Sequence, residues 1–323
     1  MSLDSSNKDD GHNKTSVNEF ILLGLLHLSN FKSILFVIFF TIFLMTMVGN
    51  SLIITAIRMD PYLHTPMYFF LANLSILEMC YTSITLPNVL LDILQSSTVI
   101  SFMGCMVQVC LFTLCATVEC ILLAAMACDR YVAICRPLHY TSIINKMVCI
   151  NLALFAWANG VFNSTVQTIL TSRLPFCGAN SIDRLYCEVQ PLIRLSCADT
   201  QLNDILATIS AAVFGVSCLV FILTSYVFII SAILKIPSRE GRRKAFSTCA
   251  SHITVVILYY GALIFMYLLP KSSTSQKLDT AVSMIYSTLT PVLNPIIYSL
   301  RNQQVKEALK KTMKGNLCAS WAV

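Results

Sequence analysis

The sequence predicts an all-α protein: a seven-transmembrane helix bundle, N-terminus outside, with a short amphipathic surface helix after the seventh span. Three observations predict this. Of 323 residues, 56% are hydrophobic and 12% charged, against roughly 45–50% and about 25% in soluble domains, and the mean hydropathy is +0.72. A chain this size in water would still have to cover its surface with polar groups, so most of it meets lipid. Seven stretches also approach or exceed the roughly 20 apolar residues that cross a hydrocarbon core: 32–57, 66–91, 105–135, 147–170, 204–235, 243–269 and 279–300. The connections, finally, differ in charge. One side carries Arg58; Arg130, Arg136 and Lys146; Lys235, Arg239, Arg242, Arg243 and Lys244; and Arg301, Lys306, Lys310, Lys311 and Lys314, which is fourteen of the 22 bases. Bases accumulate on the cytoplasmic side of short loops, which places the N-terminus outside.

Taken in order, residues 1–31 form an extracellular tail. It is polar and contains Asp4, Asp9 and Asp10, so no basic region leads into an apolar one and no cleaved signal peptide is expected. Asn13-Lys14-Thr15 is a glycosylation sequon on that exposed tail. Asn73-Leu74-Ser75 and Asn163-Ser164-Thr165 fit the same pattern but fall inside spans two and four, where they read as packing residues. Residues 32–300 form the seven-span domain, with the longest connection from about Thr171 to Asn203 and no repeat of one half in the other. In the cytoplasmic segment 301–323, Val305, Leu309 and Met313 recur beside Lys306, Lys310 and Lys314, the pattern of a helix lying on a membrane surface.

Charges at membrane depth are expensive and need partners. Glu78 in span two and Glu119 in span three either hold the bundle together by hydrogen bonds or form a polar core for a proton or cation. Asp129-Arg130-Tyr131 stands at the inner end of span three; an acid beside an arginine there is either an ordinary interfacial ion pair, worth little when solvated, or part of a switch. Of fourteen cysteines, most lie in apolar segments as small hydrophobes. Cys105, Cys177, Cys187 and Cys197 lie at or in outer loop sequence, where three pairings are open. Helical periodicity places Phe112, Thr113, Ala116 and Thr117 along one side of span three, and Tyr260, Leu263, Ile264 and Tyr267 along one side of span six. Such stripes are either helix-packing core or the walls of a pocket. The +6 net charge is scattered without interleaved aromatics, so nucleic acid is not an expected partner. No serine or cysteine nucleophile is placed with a base, so no enzyme, cofactor or metal is expected.

The chain resembles the rhodopsin-like G-protein-coupled receptors and, within them, the olfactory (odorant) receptors. The matching words are Gly49-Asn50; Pro66-Met67-Tyr68-Phe69-Phe70-Leu71; Met126-Ala127 and Asp129-Arg130-Tyr131-Val132-Ala133-Ile134-Cys135 with Pro137-Leu138; Ser225-Tyr226; Lys244-Ala245-Phe246-Ser247-Thr248-Cys249 with Ser251-His252; and Pro291-Val292-Leu293-Asn294-Pro295-Ile296-Ile297-Tyr298-Ser299-Leu300-Arg301-Asn302. One such word is weak; the ordered set, spread over the spans, is very specific.

The resemblance implies a receptor that binds a small, mostly apolar volatile odorant and activates a heterotrimeric G protein of the stimulatory olfactory type, raising cyclic AMP. Its place would be the plasma membrane of sensory-neuron cilia. Asp129 would hold Arg130 at rest, with Tyr131, Tyr226, Asn294, Pro295 and Tyr298 as the other switch residues. Cys105 would pair with Cys187, and Cys177 with Cys197. The resemblance favours the pocket reading of the two stripes and adds Ser210, Phe214, Met284 and Ser287. Cys128 and Glu78 depart from the family's usual tyrosine and aspartate; the first bears on coupling strength and the second on ion binding. Phe112 stands where amine receptors carry an aspartate, so a charged amine ligand is not expected. The alternative of another class is a small-solute or ion transporter or channel, suggested by Glu78 and Glu119.

Overall fold

A computed structural model describes residues 17–23, 31–95, 98–177, 180–182, 184–268, 290–297 and 305–309. Helix α1 spans Lys32–Met59. Ile34, Val37, Phe40, Leu44 and Val48 stand exposed along it, while Asn50, Ile53 and Ala56 are buried. A helix apolar on all sides that exposes one of them is solvated by lipid. Asp60 then accepts a hydrogen bond from the Tyr62 amide at 3.1 Å and starts a short 3-10 turn, Pro61–Leu63. Helix α2, Pro66–Gln95, opens on a proline, which is well suited to a first turn because its missing N–H would be unpaired there.

Helix α3, Phe102–Cys135, is the most buried of the span-length helices among the described residues. Ser101 caps it by accepting the Gly104 amide at 3.1 Å. Its 34 residues would extend about 50 Å at 1.5 Å each, well beyond the roughly 30 Å hydrocarbon core. It ends before Arg136-Pro137, where the proline disfavours helix in the preceding residue. After a 3-10 turn at Pro137–His139 come the single-turn helix α4, Tyr140–Ile143, and α5, Lys146–Ser172. Asn145 caps α5 by accepting the Val148 amide at 3.0 Å.

Helices α3 and α5 meet closely at Gly160, where an added Cβ would lie 2.5 Å from Val118 Cγ2 and 3.2 Å from the Leu114 carbonyl oxygen. The two in-span sequon asparagines sit at such helix contacts. Trp157 Nε1 donates to Asn73 Oδ1 at 3.2 Å, and Asn163 Nδ2 donates to Thr117 Oγ1 at 2.9 Å.

The outer connection contains α6, Val189–Leu195. Helices α7, Gln201–Ser210, and α8, Ser217–Leu234, join through a π-helical stretch, Ala211–Val216, into one span-length unit, Gln201–Leu234. Helix α9, Arg239–Leu268, bends by 41° between Arg239–Ser247 and Cys249–Ile264. Among the described residues, five helices are long and apolar enough to span a membrane, and a sixth if the bent α9 is one span. Of the seventh predicted span, residues 290–297 are described and helical. Residues 305–309 are also helical, with Val305 and Ala308 buried and Lys306 and Glu307 exposed.

The structure adds a small sheet that the sequence reading did not include. Strands β1 (Glu19–Leu22), β2 (Thr98–Ser101) and β3 (Ser181–Ile182) form a three-stranded sheet in the order β2-β1-β3. The segment read as a tail through residue 31 therefore contributes its central strand. Phe20 and Leu22 are fully buried; Phe20 lies edge-on to Phe176 at 5.3 Å, and both join a separate apolar cluster with Cys105 and Cys187. A four-residue run of alternating burial gave little sequence signal, because its partners lie about 80 and 160 residues away.

Candidate functional site

At the end of the bundle carrying Arg130, helix α3 places Asp129 fully buried and Arg130 largely so. Arg130 Nε donates to Asp129 Oδ2 at 2.9 Å, and Arg130 Nη2 contacts the same oxygen. The other oxygen, Oδ1, accepts a hydrogen bond from Tyr140 Oη at 2.7 Å. Sequence reading did not single out Tyr140. Its partnership with Asp129 depends on the reversal of the chain through Pro137–His139, which brings α4 back beside α3. Burial, followed by the bond to Asp129 and its charge, pushes the Tyr140 hydroxyl above its ordinary value, so it remains a donor near neutral pH. Both oxygens of a buried carboxylate are thus occupied, one from its own helix and one from the following loop.

One turn deeper, Tyr226 Oη lies 2.6 Å from His252 Nδ1, and His252 Nε2 lies 3.1 Å from the Leu123 carbonyl oxygen. A carbonyl only accepts, so Nε2 carries the proton; in a neutral ring Nδ1 then accepts from Tyr226. This fully buried histidine ties α3, α8 and α9 together. Tyr131 instead faces α8, its ring edge-on to Phe228 at 6.1 Å.

At mid-depth the structure brings together several residues the sequence singled out. Asn294 Nδ2 donates to Glu78 Oε1. Asn50 Nδ2 donates to the Thr46 and Pro291 carbonyl oxygens at 3.1 and 3.3 Å. Gly49 allows this approach, since a Cβ there would meet Pro295 Cβ at 3.2 Å. Asn50 Oδ1, Glu78 Oε2 and Asn294 Oδ1 are buried without hydrogen-bond partners among the described residues. Three oxygens in need of positive charge or a donor suit either a proton on Glu78 or a cation. Glu119 is buried on α3; no group of three or more acidic, histidine or cysteine ligands occurs among the described residues.

In the opposite half, the Cys105–Cys187 and Cys177–Cys197 disulfides are formed, with Cα atoms 5.5 and 5.7 Å apart. Gln108, one turn along α3 from Cys105, donates to the Ile84 carbonyl at 3.1 Å and accepts the Cys187 amide at 2.8 Å. This fixes the loop against the bundle, and Tyr186 is consequently buried with its ring stacked on Phe112 at 5.1 Å. On its other side Phe112 meets Tyr81 at 5.2 Å. Neither Tyr81 nor Tyr186 was singled out from sequence, although Tyr186 directly precedes Cys187. Thr113 and Ala116 are partly buried, as are Ser210, Phe214 and Leu263. The Thr117 hydroxyl donates to the Thr113 carbonyl at 2.8 Å and accepts from Asn163, which leaves it no free proton.

Span six requires one adjustment. Tyr260 is 4% exposed and its hydroxyl has no hydrogen-bond partner among the described residues, whereas Ile264 is 45% exposed. Spacing placed both on one wall; Ile264 instead sits at that stripe's outer edge. Tyr259, one residue and about 100° away on a helix, turns toward α3, where its hydroxyl donates to the Ala116 carbonyl at 3.0 Å and lies 3.2 Å from Cys120 Sγ. Asn13, Met284, Ser287, Tyr298 and the side chain of Tyr267 lie outside the described residues.

Comparison with known proteins gives a consistent result. The family model described as olfactory receptor matches residues 39–316. The chain is 46% identical over 308 residues to olfactory receptor 5G25 of Mus musculus, covering 95% of this chain and 97% of that one. It is 47% identical over 302 residues to olfactory receptor 10C1 of Homo sapiens, covering 94% and 97%, and 45% identical over 305 residues to human olfactory receptor 13D1, covering 94% and 88%.

Proposed function

The chain belongs to the olfactory receptor family, and on that premise we propose that it converts the binding of a small, mostly apolar volatile odorant into activation of a stimulatory olfactory-type heterotrimeric G protein, raising cyclic AMP. It is a multi-pass membrane receptor and not an enzyme. Its working place is the plasma membrane of sensory-neuron cilia, with Asn13 glycosylated outside.

The observation that carries the reading is the restraint on Arg130. Asp129 holds this cation within its own helix while Tyr140 occupies the second carboxylate oxygen. Movement of the Arg239–Ser247 arm of α9 would open the space beside Arg130 to the G protein. The Tyr226–His252–Leu123 linkage resists that movement, because His252 joins α9 to both α8 and α3. Asn294 and Pro295, against Glu78 and Gly49, couple the seventh span to the same switch, and Tyr131 and Tyr298 complete it.

The odorant occupies the outer half of the bundle between α3 and α9. Phe112, Ala116, Phe214 and Leu263 offer apolar surface, Thr113, Ser210, Met284, Ser287 and Tyr267 extend the lining, and Tyr260 presents a buried hydroxyl with no hydrogen-bond partner among the described residues. Such a site selects by shape and one or two hydrogen bonds.

The test measures cyclic AMP in cells expressing the chain with an olfactory stimulatory G protein, against a diverse odorant panel, with Arg130→Ala at equal surface level. A response lost in the variant supports the reading; a response that survives Arg130→Ala overturns the switch. A transport reading is motivated by the oxygens around Glu78 that have no hydrogen-bond partner among the described residues, and odorant-dependent current without G protein would favour it.

A further inference from the structure

The turn between α8 and α9, at the start of the α9 arm that the proposed switch moves, carries a cluster of bases. Residues 235–243 contain Lys235, Arg239, Arg242 and Arg243, with Glu240 as their one acid. Lys235, Arg239 and Arg243 are exposed and Arg242 partly so. Among the described residues none of the four forms an ion pair. The turn is tight: the Arg242 amide donates to the Ser238 carbonyl at 3.1 Å and the Gly241 amide to Ser238 Oγ at 3.1 Å.

The direction that Arg239 and Arg243 face follows from helical spacing. Arg239, Arg243, Phe246, Ala250, Ile253, Ile257, Gly261 and Ile264 succeed one another at three- and four-residue steps, which is one face of α9. Phe246, Ile257 and Ile264 are 43%, 64% and 45% exposed, while Ala250 and Ile253 are partly buried, so this face borders the lipid. Helix α8 behaves alike, since exposed Leu223, Val227, Ile230 and Leu234 lead down to Lys235. Both stripes therefore lead to bases at one turn, which in the receptor orientation is where the two spans leave the lipid.

We propose that Lys235, Arg239, Arg242 and Arg243 bind the phosphomonoester-bearing headgroup of an inner-leaflet inositol lipid. Guanidinium groups pair bidentately with phosphate oxygens, and clusters of bases just inside a membrane span attract anionic lipid. Several bases within nine residues, none in an ion pair among the described residues, match a multiply charged headgroup better than a singly charged one. The inner-leaflet placement rests on the membrane orientation in the receptor reading above.

The test is native mass spectrometry of the purified full chain titrated with a phosphatidylinositol bisphosphate or with phosphatidylserine. The parent retains the inositol lipid in preference to phosphatidylserine. Neutralising Arg239→Gln, Arg242→Gln and Arg243→Gln together weakens retention about fivefold per base, on the order of a hundredfold in all. Arg239→Lys with Arg242→Lys and Arg243→Lys keeps the charge and recovers most of the binding, which separates loss of the site from loss of the fold. Arg136→Gln with Lys146→Gln, on the same side but in another loop, changes nothing. Equal retention of the two lipids, or retention unchanged in the triple glutamine variant, overturns the proposal. So does a triple variant that loses G-protein activation in lipid-free detergent while the parent shows no lipid preference, since that assigns the face to the G protein. Retention needs neither odorant nor G protein. A chain silent to odorants that still prefers the inositol lipid therefore counts against the receptor reading alone, and a responsive chain without the preference counts against this proposal alone.

Discussion

Replacing Tyr140 by phenylalanine removes one oxygen and tests whether the loop after α3 helps to restrain Arg130. Tyr140 Oη donates to Asp129 Oδ1 at 2.7 Å, and Asp129 is fully buried. A hydrogen bond to a charged partner contributes about 1.5–3 kcal/mol net. Tyr140 is only partly buried, so water replaces some of the lost bond and the lower end, about 1.5 kcal/mol, applies. If the bond is made only while Asp129 holds Arg130, the whole amount appears in the equilibrium between resting and active states, which is about tenfold. Ligand-free cyclic AMP per receptor at the surface should therefore rise about tenfold in Tyr140→Phe, and Arg130→Ala in the same chain should abolish the rise. Basal signal within twofold of the parent at equal surface level would refute the argument, because the bond would then persist equally in both states.

The close approach of α3 and α5 makes Gly160→Val unfavourable by about 1–3 kcal/mol, the usual range for overpacking; flow cytometry should show reduced surface display, with Gly160→Ala intermediate, and display equal to the parent would mean that the helices do not meet as described. Cys105 and Cys187 are 82 residues apart and Cys177 and Cys197 only 20, so chain entropy assigns the first bridge about 4–5 kcal/mol and the second about 3. Cys105→Ser should accordingly lower display more than Cys177→Ser, and the reverse order would count against the entropic account. Tyr186→Ala should open space beside Phe112 and improve responses to longer members of a homologous odorant series relative to shorter ones, a ratio that loss of fold alone would not move. An unchanged rank order of odorants would place Tyr186 away from the ligand. Trp157→Phe should cost about 1 kcal/mol for the lost bond to Asn73, read as a lower melting temperature in detergent.

Much of the architecture was legible because lipid leaves little choice: a backbone that crosses a membrane must satisfy its own hydrogen bonds, so each long apolar run becomes a helix. The ends of several helices were legible for local reasons, such as the proline after Arg136 and the capping Asn145 and Ser101. Asp129, Arg130 and Glu78 could be singled out from their charge and depth, and Asn294 from the words around it. Glycine at 160 gave no comparable signal, because a small residue in an apolar run has no visible neighbour until two helices are packed.

The apolar runs and their order, the one-sided distribution of bases and the family words could all be read from the residues alone. Which residues meet across the bundle became visible through packing: Tyr140 with Asp129, His252 with Tyr226 and Leu123, Tyr186 with Phe112, and the strand at Glu19–Leu22 with two distant loops. Packing also decided that Tyr259 rather than Tyr260 hydrogen-bonds to Ala116. The reason is the solvent. In water, polarity marks the outer face of a helix, but a helix in lipid is apolar on both its packed and its exposed faces. Periodicity there can group residues onto a face without saying which way that face points, and long-range packing supplies the direction.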